Sequence, residues 1–141
     1  MSAPTPETEA ILQERFGRDS IIALATSTHD IPYVRSVNAF YEDGAFYVLT
    51  YALSGKMQQL MENPVVAISG EWFTAHGVGE NLGWFGSREN ARLAARMRSV
   101  FAAWINNGHN NFDDPNTIIL RIRLTHAVLL SHGTRYELDY Q

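Results

Sequence analysis

VRSVNAFYEDGAFYVLTYALSGKMQQLMEN, residues 34–63, reads as strand, tight turn, strand, short loop and helix. Tyr33 to Tyr41 and Ala45 to Thr50 are rich in β-branched and aromatic residues, as a pleated, half-buried surface requires. Glu42-Asp43-Gly44 between them predicts a hairpin turn, with glycine supplying a positive φ. Ser54 is suited to cap a helix over residues 55–62, which Asn63-Pro64 closes. The start of that helix combines free backbone N–H groups, the positive end of the helix dipole, a serine hydroxyl and Lys56. Such a set favours an anion, and phosphate is the usual one. Arg35 on the neighbouring strand can supply a second cation.

The rest of the chain extends this pattern outward. Thr5-Pro6-Glu7 predicts a helix start, Ile11, Leu12 and Phe16 its apolar stripe, and Gly17 a left-handed end. Ser20 to Ser27 reads as a strand apolar on both faces for part of its length, and His29 to Pro32 as a turn. After the 55–62 helix, Val65 to Phe73 predicts a strand with a bulge at Gly70. Thr74 to Phe85 predicts an irregular, glycine-containing one. Ser87 is placed to cap a helix from Arg88 to about Ile105, with Trp104 in the core. Thr117 to Leu130 alternates most clearly. Its apolar side is expected to carry Ile118, Leu120, Ile122, Leu124, His126, Val128 and Leu130. A turn at 131–134 leads to an edge strand over Arg135 to Tyr140. Antiparallel hairpins dominate and no repeats or linkers interrupt the chain. The expectation is a mainly β (α+β) single domain over residues 1–141: a small closed or split antiparallel Greek-key β-barrel of about six strands with peripheral helices, since closing the sheet removes its edges.

Composition narrows the function. The 141 residues carry a net charge of −4, with 45% hydrophobic and 18% charged residues, an ordinary balance for one globular core. An acidic pI of about 5.7 argues against nucleic acid or an acidic membrane surface as partner. The absence of cysteine removes disulfides, thiolate metal sites and cysteine nucleophiles. Of the 11 basic residues only Lys56 is a lysine. The five histidines (His29, His76, His109, His126, His132) follow no zinc-ligand spacing, so no metal site is expected. MSAPTPETEA has neither a basic region nor an apolar run, so no signal peptide is expected, and a cytoplasmic protein is the default.

Arg35-Ser36-Val37-Asn38 in one strand, Leu49-Thr50 ending the next and Ser54-Gly55-Lys56 opening a helix together resemble the FMN site of the pyridoxamine 5′-phosphate oxidase-like split-barrel family. The resemblance implies that Arg35 and Lys56 neutralise the FMN phosphate and that Ser54 with the helix N-terminus hydrogen-bonds it. It implies that the backbone of Ser36, Val37 and Asn38 runs along the isoalloxazine edge, and that Thr50 holds ribityl or ring polar atoms. It further implies a homodimer with flavin at the interface, with Trp72 and the His76-Gly77-Val78 segment reaching across, and redox chemistry on a small organic molecule. Gly55 stands where the oxidase has a second basic residue. The C-terminal SHGTRYELDYQ offers His132 and Arg135 but not the oxidase's Arg-Leu-His-Asp-Arg pattern. His76 and His132 are the candidates for donating a proton near a flavin. The alternatives are a non-catalytic FMN carrier or electron-transfer module, or a split barrel for haem, with His76 or His132 as axial ligand, or for a deazaflavin.

Overall fold

The computed structural model describes residues 1–141. Helix α1 (Pro6–Phe16) is followed by strands β1 (Ser20–Thr28), β2 (Ile31–Glu42) and β3 (Ala45–Tyr51), and helix α2 (Gly55–Glu62) leads to β4 (Val65–Gly70). Strand β5 (Phe73–Trp84), helix α3 (Ala91–Val100), β6 (Thr117–Ser131) and β7 (Thr134–Asp139) complete the chain. The strands run in the order β3-β2-β1-β4-β5-β6-β7, all antiparallel, and β3 pairs back onto β6. Six strands therefore close a barrel and β7 extends its wall. The passage from β3 through α2 to β4 skips over β2 and β1, which is the Greek-key connection.

The barrel is split at one seam. Strands β2 and β3 pair only through Phe40–Tyr47, Tyr41–Phe46 and Glu42–Ala45, whereas β2 pairs with β1 along residues 31–39. Before residue 40 the outer edge of β2 has no strand beside it. In an antiparallel pair, alternate residues aim their N–H and C=O groups away from the partner, so β2 presents backbone donors and acceptors to this opening.

Two apolar clusters hold the fold. The larger fills the barrel and includes Ile22, Leu24, Phe46, Val48, Ile68, Phe73, Leu120 and Ile122, with Leu12 and Phe16 of α1 plugging one end. Thr5 and Thr8 cap α1 reciprocally: the Thr8 N–H donates to Thr5 Oγ1 at 3.2 Å and the Thr5 N–H to Thr8 Oγ1 at 2.9 Å. The second cluster packs Met97, Phe101 and Ile105 on the outer side of β3 and β6 against Phe40, Tyr47 and Ile119. Trp104 is half-buried at its margin and its indole N–H donates to Asp19 at 3.0 Å. Helix α2 lies close to β5 because Gly79 has no side chain there: a Cβ would meet Leu60 Cδ2 at 2.9 Å.

Several local expectations are corrected. Val65 to Phe73 is not one strand, because Glu71 and Trp72 form a hairpin turn with Trp72 at φ +53°. Gly70 is no bulge; it pairs with Phe73, and the Phe16 ring occupies the space where its Cβ would lie, 2.9 Å away. Gly17 ends α1 at φ −73°, in the ordinary right-handed region. Neither Ser54 nor Ser87 makes a side-chain cap bond. The 88–105 segment is a short 3-10 turn at Arg88–Asn90, then α3, then turns from Phe101 onward. Its start is organised by Asn90, whose amide donates to the carbonyls of Leu82 and Trp84.

The largest correction concerns β6. Gly77 pairs with Leu124 but His76 with His126, so one extra residue, Thr125, lies in β6 between consecutive pairs. Such a bulge reverses which face later residues take. Leu124 points inward, but beyond it Ala127 and Leu129 are the buried residues. His126, Val128 and Leu130 turn to the outside instead of continuing the apolar side.

Candidate functional site

At the split seam, β1, β2, β3 and α2 bring polar side chains together. Arg35 pairs with Leu24 across β1–β2 and so takes the inward parity, near the end of the barrel. Its guanidinium donates to the Leu24 carbonyl at 3.2 Å, to Thr26 Oγ1 at 2.9 Å and to Gln59 Oε1 at 2.7 Å. Thr26, itself buried, donates its hydroxyl to the same Gln59 oxygen at 2.6 Å. Lys56, in the first turn of α2, donates to Thr50 Oγ1 at 2.6 Å.

Every acceptor in this cluster is neutral. Elsewhere on the barrel Arg92, Arg121 and Arg135 pair with Glu42, Glu80 and Glu137. No carboxylate pairs with Arg35 or Lys56. Burial, and then the neighbouring Arg35 charge, hold the Lys56 ammonium below its ordinary range, and burial lowers the Arg35 guanidinium as well. Two partly buried cations that repel one another without a counter-ion are unfavourable alone, and the arrangement gains from an anion.

A third feature points the same way. Ser54 stands at the N-cap of α2, and its buried Oγ has no hydrogen-bond partner. A buried hydroxyl left unpaired costs about 1–3 kcal/mol, so such groups are normally satisfied by protein, water or ligand. The hydroxyl sits where the unpaired N–H groups of the helix start also lie.

Of the residues expected from the sequence, the structure gathers Arg35, Thr50, Ser54 and Lys56 about this seam. Gly55 opens α2 with no atom within 4 Å of where a Cβ would be. Ser36, Val37 and Asn38 lie on the open-edged part of β2. The Asn38 side chain is engaged with Asp19 at 3.0 Å, and Val37 packs against the barrel core. Leu49 turns its side chain toward the second cluster, away from the seam. Trp72 and His132 lie elsewhere in the same chain. They line a cleft of about 500 Å³ with Arg15 and Leu130, where α1 plugs the barrel. His76 is on the outer sheet face, directly opposite His126.

Gln59 and Thr26 were not singled out in the sequence. Gln59 is three residues beyond Lys56 and so shares its helix face, and Thr26 is a lone polar side chain among the inward residues of β1. Those two spacings are the signals that could have found them.

No protein-family model and no curated protein matches the chain. Solved structures do match in fold. A candidate pyridoxamine 5′-phosphate oxidase from Listeria innocua superposes with a TM-score of 0.65 at 12% identity, covering 91% of this chain and 97% of that one. A FAD-binding protein from Mesorhizobium loti gives 0.63 at 19% identity, with 88% and 91% covered. A heme-binding protein from Mycobacterium smegmatis gives 0.70 at 19% identity, covering 96% of this chain but 58% of that one.

Proposed function

We propose that this chain, which has the split-barrel fold of the pyridoxamine 5′-phosphate oxidase-like proteins, binds FMN at the seam between β2 and β3 and serves as a homodimeric oxidoreductase for a small organic molecule. The observation that carries the reading is the pair Arg35 and Lys56, whose hydrogen-bond acceptors are all neutral. A phosphate monoester is a dianion above pH about 6 and matches two cations, the Ser54 hydroxyl and the first N–H groups of α2. The open edge of β2 at Ser36 to Asn38 would meet the polar rim of a planar ring system. Thr50 fixes the Lys56 ammonium and leaves its remaining donors for the ligand.

FMN bound there would supply hydride transfer at its ring. The protein's part is to bind and orient. The cations and Ser54 hold the phosphate end, which fixes where the ring lies along β2. Residues Val34, Ala25, Ala67 and His76 form one row of the outer sheet face, and Ala23 and Val128 belong to the next. These small and apolar side chains line a shallow depression of about 360 Å³. Val34 is 71% exposed and Ile21 68%, an apolar surface that a second copy would cover. In such a dimer Trp72 and His76 are the groups expected to approach the other protomer's seam. No helix is long and apolar enough to cross a membrane.

The direct test is the visible absorption of the purified protein, repeated after adding FMN and desalting. Paired flavin bands that survive desalting are expected. Protein that stays colourless and retains no FMN overturns the reading, and a Soret band in place of flavin bands would transfer the function to haem.

A pH dependence follows from Lys56. Its lowered pKa in the free protein means that a bound phosphate must raise it again. Affinity is then greatest where Lys56 is protonated and weakens as pH rises through that lowered value, below the ordinary 10.5. On the acid side, affinity weakens as the phosphate becomes a monoanion below pH about 6. Riboflavin, which lacks the phosphate, should show neither limb. Parallel pH profiles for FMN and riboflavin would count against a phosphate on Lys56.

A further inference from the structure

We infer that Gln59 is a positioning residue that sets the charge of the seam: its neutral amide holds Arg35 in place without neutralising it, and so makes the site selective for phosphorylated over unphosphorylated ligands. The inference rests on the anion-binding reading of the seam and goes beyond it, to what determines the ligand's charge.

Gln59 lies on the same face of α2 as Lys56 and one turn from the helix start. Its Oε1 accepts two hydrogen bonds, from Arg35 Nη2 at 2.7 Å and from Thr26 Oγ1 at 2.6 Å. Thr26 in turn accepts from Arg35 Nη1 at 2.9 Å, closing a three-membered ring of contacts that fixes the guanidinium plane. Only an oxygen acceptor fits between those two donors, and either glutamine or glutamate could provide it. The two differ in charge, not in reach. A carboxylate here would form a charge-assisted pair with Arg35 and supply the counter-ion that the structure otherwise lacks. With glutamine, the guanidinium is oriented but its charge remains available to a ligand.

Gln59→Glu is therefore the decisive variant, because it preserves shape and hydrogen bonding to Arg35. FMN affinity should fall about tenfold or more, the loss expected when one charge-assisted contact is replaced by an internal pair, while riboflavin affinity stays within about twofold. Thermal stability should hold or rise, because Arg35 gains a partner. Affinity and stability thus move in opposite directions, which a merely structural glutamine would not produce. Gln59→Leu removes the acceptor without adding charge and should lower FMN affinity less than Gln59→Glu does.

An unchanged ratio of FMN to riboflavin affinity in Gln59→Glu overturns the inference. If that variant does not fold, Gln59→Leu decides: a reduced ratio with riboflavin binding retained supports it, and an unchanged ratio overturns it. Inorganic pyrophosphate, titrated by calorimetry, separates the two levels. Wild-type protein that binds pyrophosphate but not FMN, with Gln59→Glu abolishing the binding, rejects the flavin and upholds Gln59. Wild-type protein that binds neither overturns both.

Discussion

Arg35→Ala and Lys56→Ala should each weaken FMN binding by about tenfold or more, since each removes a charge-assisted contact worth about 1.5–3 kcal/mol. The two substitutions should not have the same effect on the free protein. Lys56 bonds only Thr50, and its charge is held in an environment that disfavours it. Removing it relieves repulsion with Arg35, so Lys56→Ala should leave stability unchanged or slightly raised. Arg35 donates to Leu24, Thr26 and Gln59, so its loss removes three hydrogen bonds near the barrel end and leaves Gln59 Oε1 with Thr26 as its remaining donor. Arg35→Ala should therefore lose affinity and stability together. Equilibrium titration of each variant with FMN and riboflavin, beside urea unfolding, measures both. Unchanged FMN affinity in both variants would sink the phosphate assignment. The double variant should lose less than the sum of the singles if the cations share one phosphate, because the second removal acts on a contact already weakened.

How far the chain could be read from its sequence varied from element to element. The β2–β3 hairpin and α2 were legible because each has its own local signal: alternation, a turn with glycine, a serine and a proline at the helix ends. The same locality made Arg35, Ser54 and Lys56 legible as a group, since the strand–turn–strand–loop–helix order brings them together, while Thr50 entered only through the family resemblance. What was not legible depended on partners distant in sequence. The Gly70 position reads as a bulge until Phe16, from α1, is seen to fill the space beside it. The outward turn of His126 follows from a single extra residue in β6, set by pairing with β5, and alternation alone carries no sign of it. Gln59 was missed for the same reason: its significance lies in Arg35 and Thr26, which reach it only once β1 and β2 are paired.

Phe46→Ala should destabilise the fold by about 3–5 kcal/mol, the range for truncating a buried aromatic side chain. Phe46 is fully buried, and its ring stands 5.6 Å from Phe16, 5.4 Å from Tyr41 and 5.9 Å from Phe73, centroid to centroid. These partners come from α1, β2 and β5, so one side chain joins the plugging helix to opposite parts of the barrel wall. None can collapse into the gap without drawing its own element inward. The cavity term should therefore sit toward the upper end of the range. Domains of this size typically have total stabilities of about 5–15 kcal/mol, so the variant would lose a large share of it. At roughly 3 °C per kcal/mol the melting temperature should fall by about 10 °C or more. Urea unfolding followed by far-ultraviolet circular dichroism gives the measurement, and a loss below about 1 kcal/mol would mean that the cluster repacks. The consequence reaches the seam. Phe46 pairs with Tyr41 in the short stretch where β2 and β3 remain joined, and above it the two strands part to leave the open edge beside Arg35. Loosening that junction should widen the seam, so FMN affinity in Phe46→Ala is expected to fall even at temperatures where the protein stays folded. Affinity unchanged in a destabilised but folded variant would show that the seam's geometry is fixed by α2 and β1, not by the hairpin.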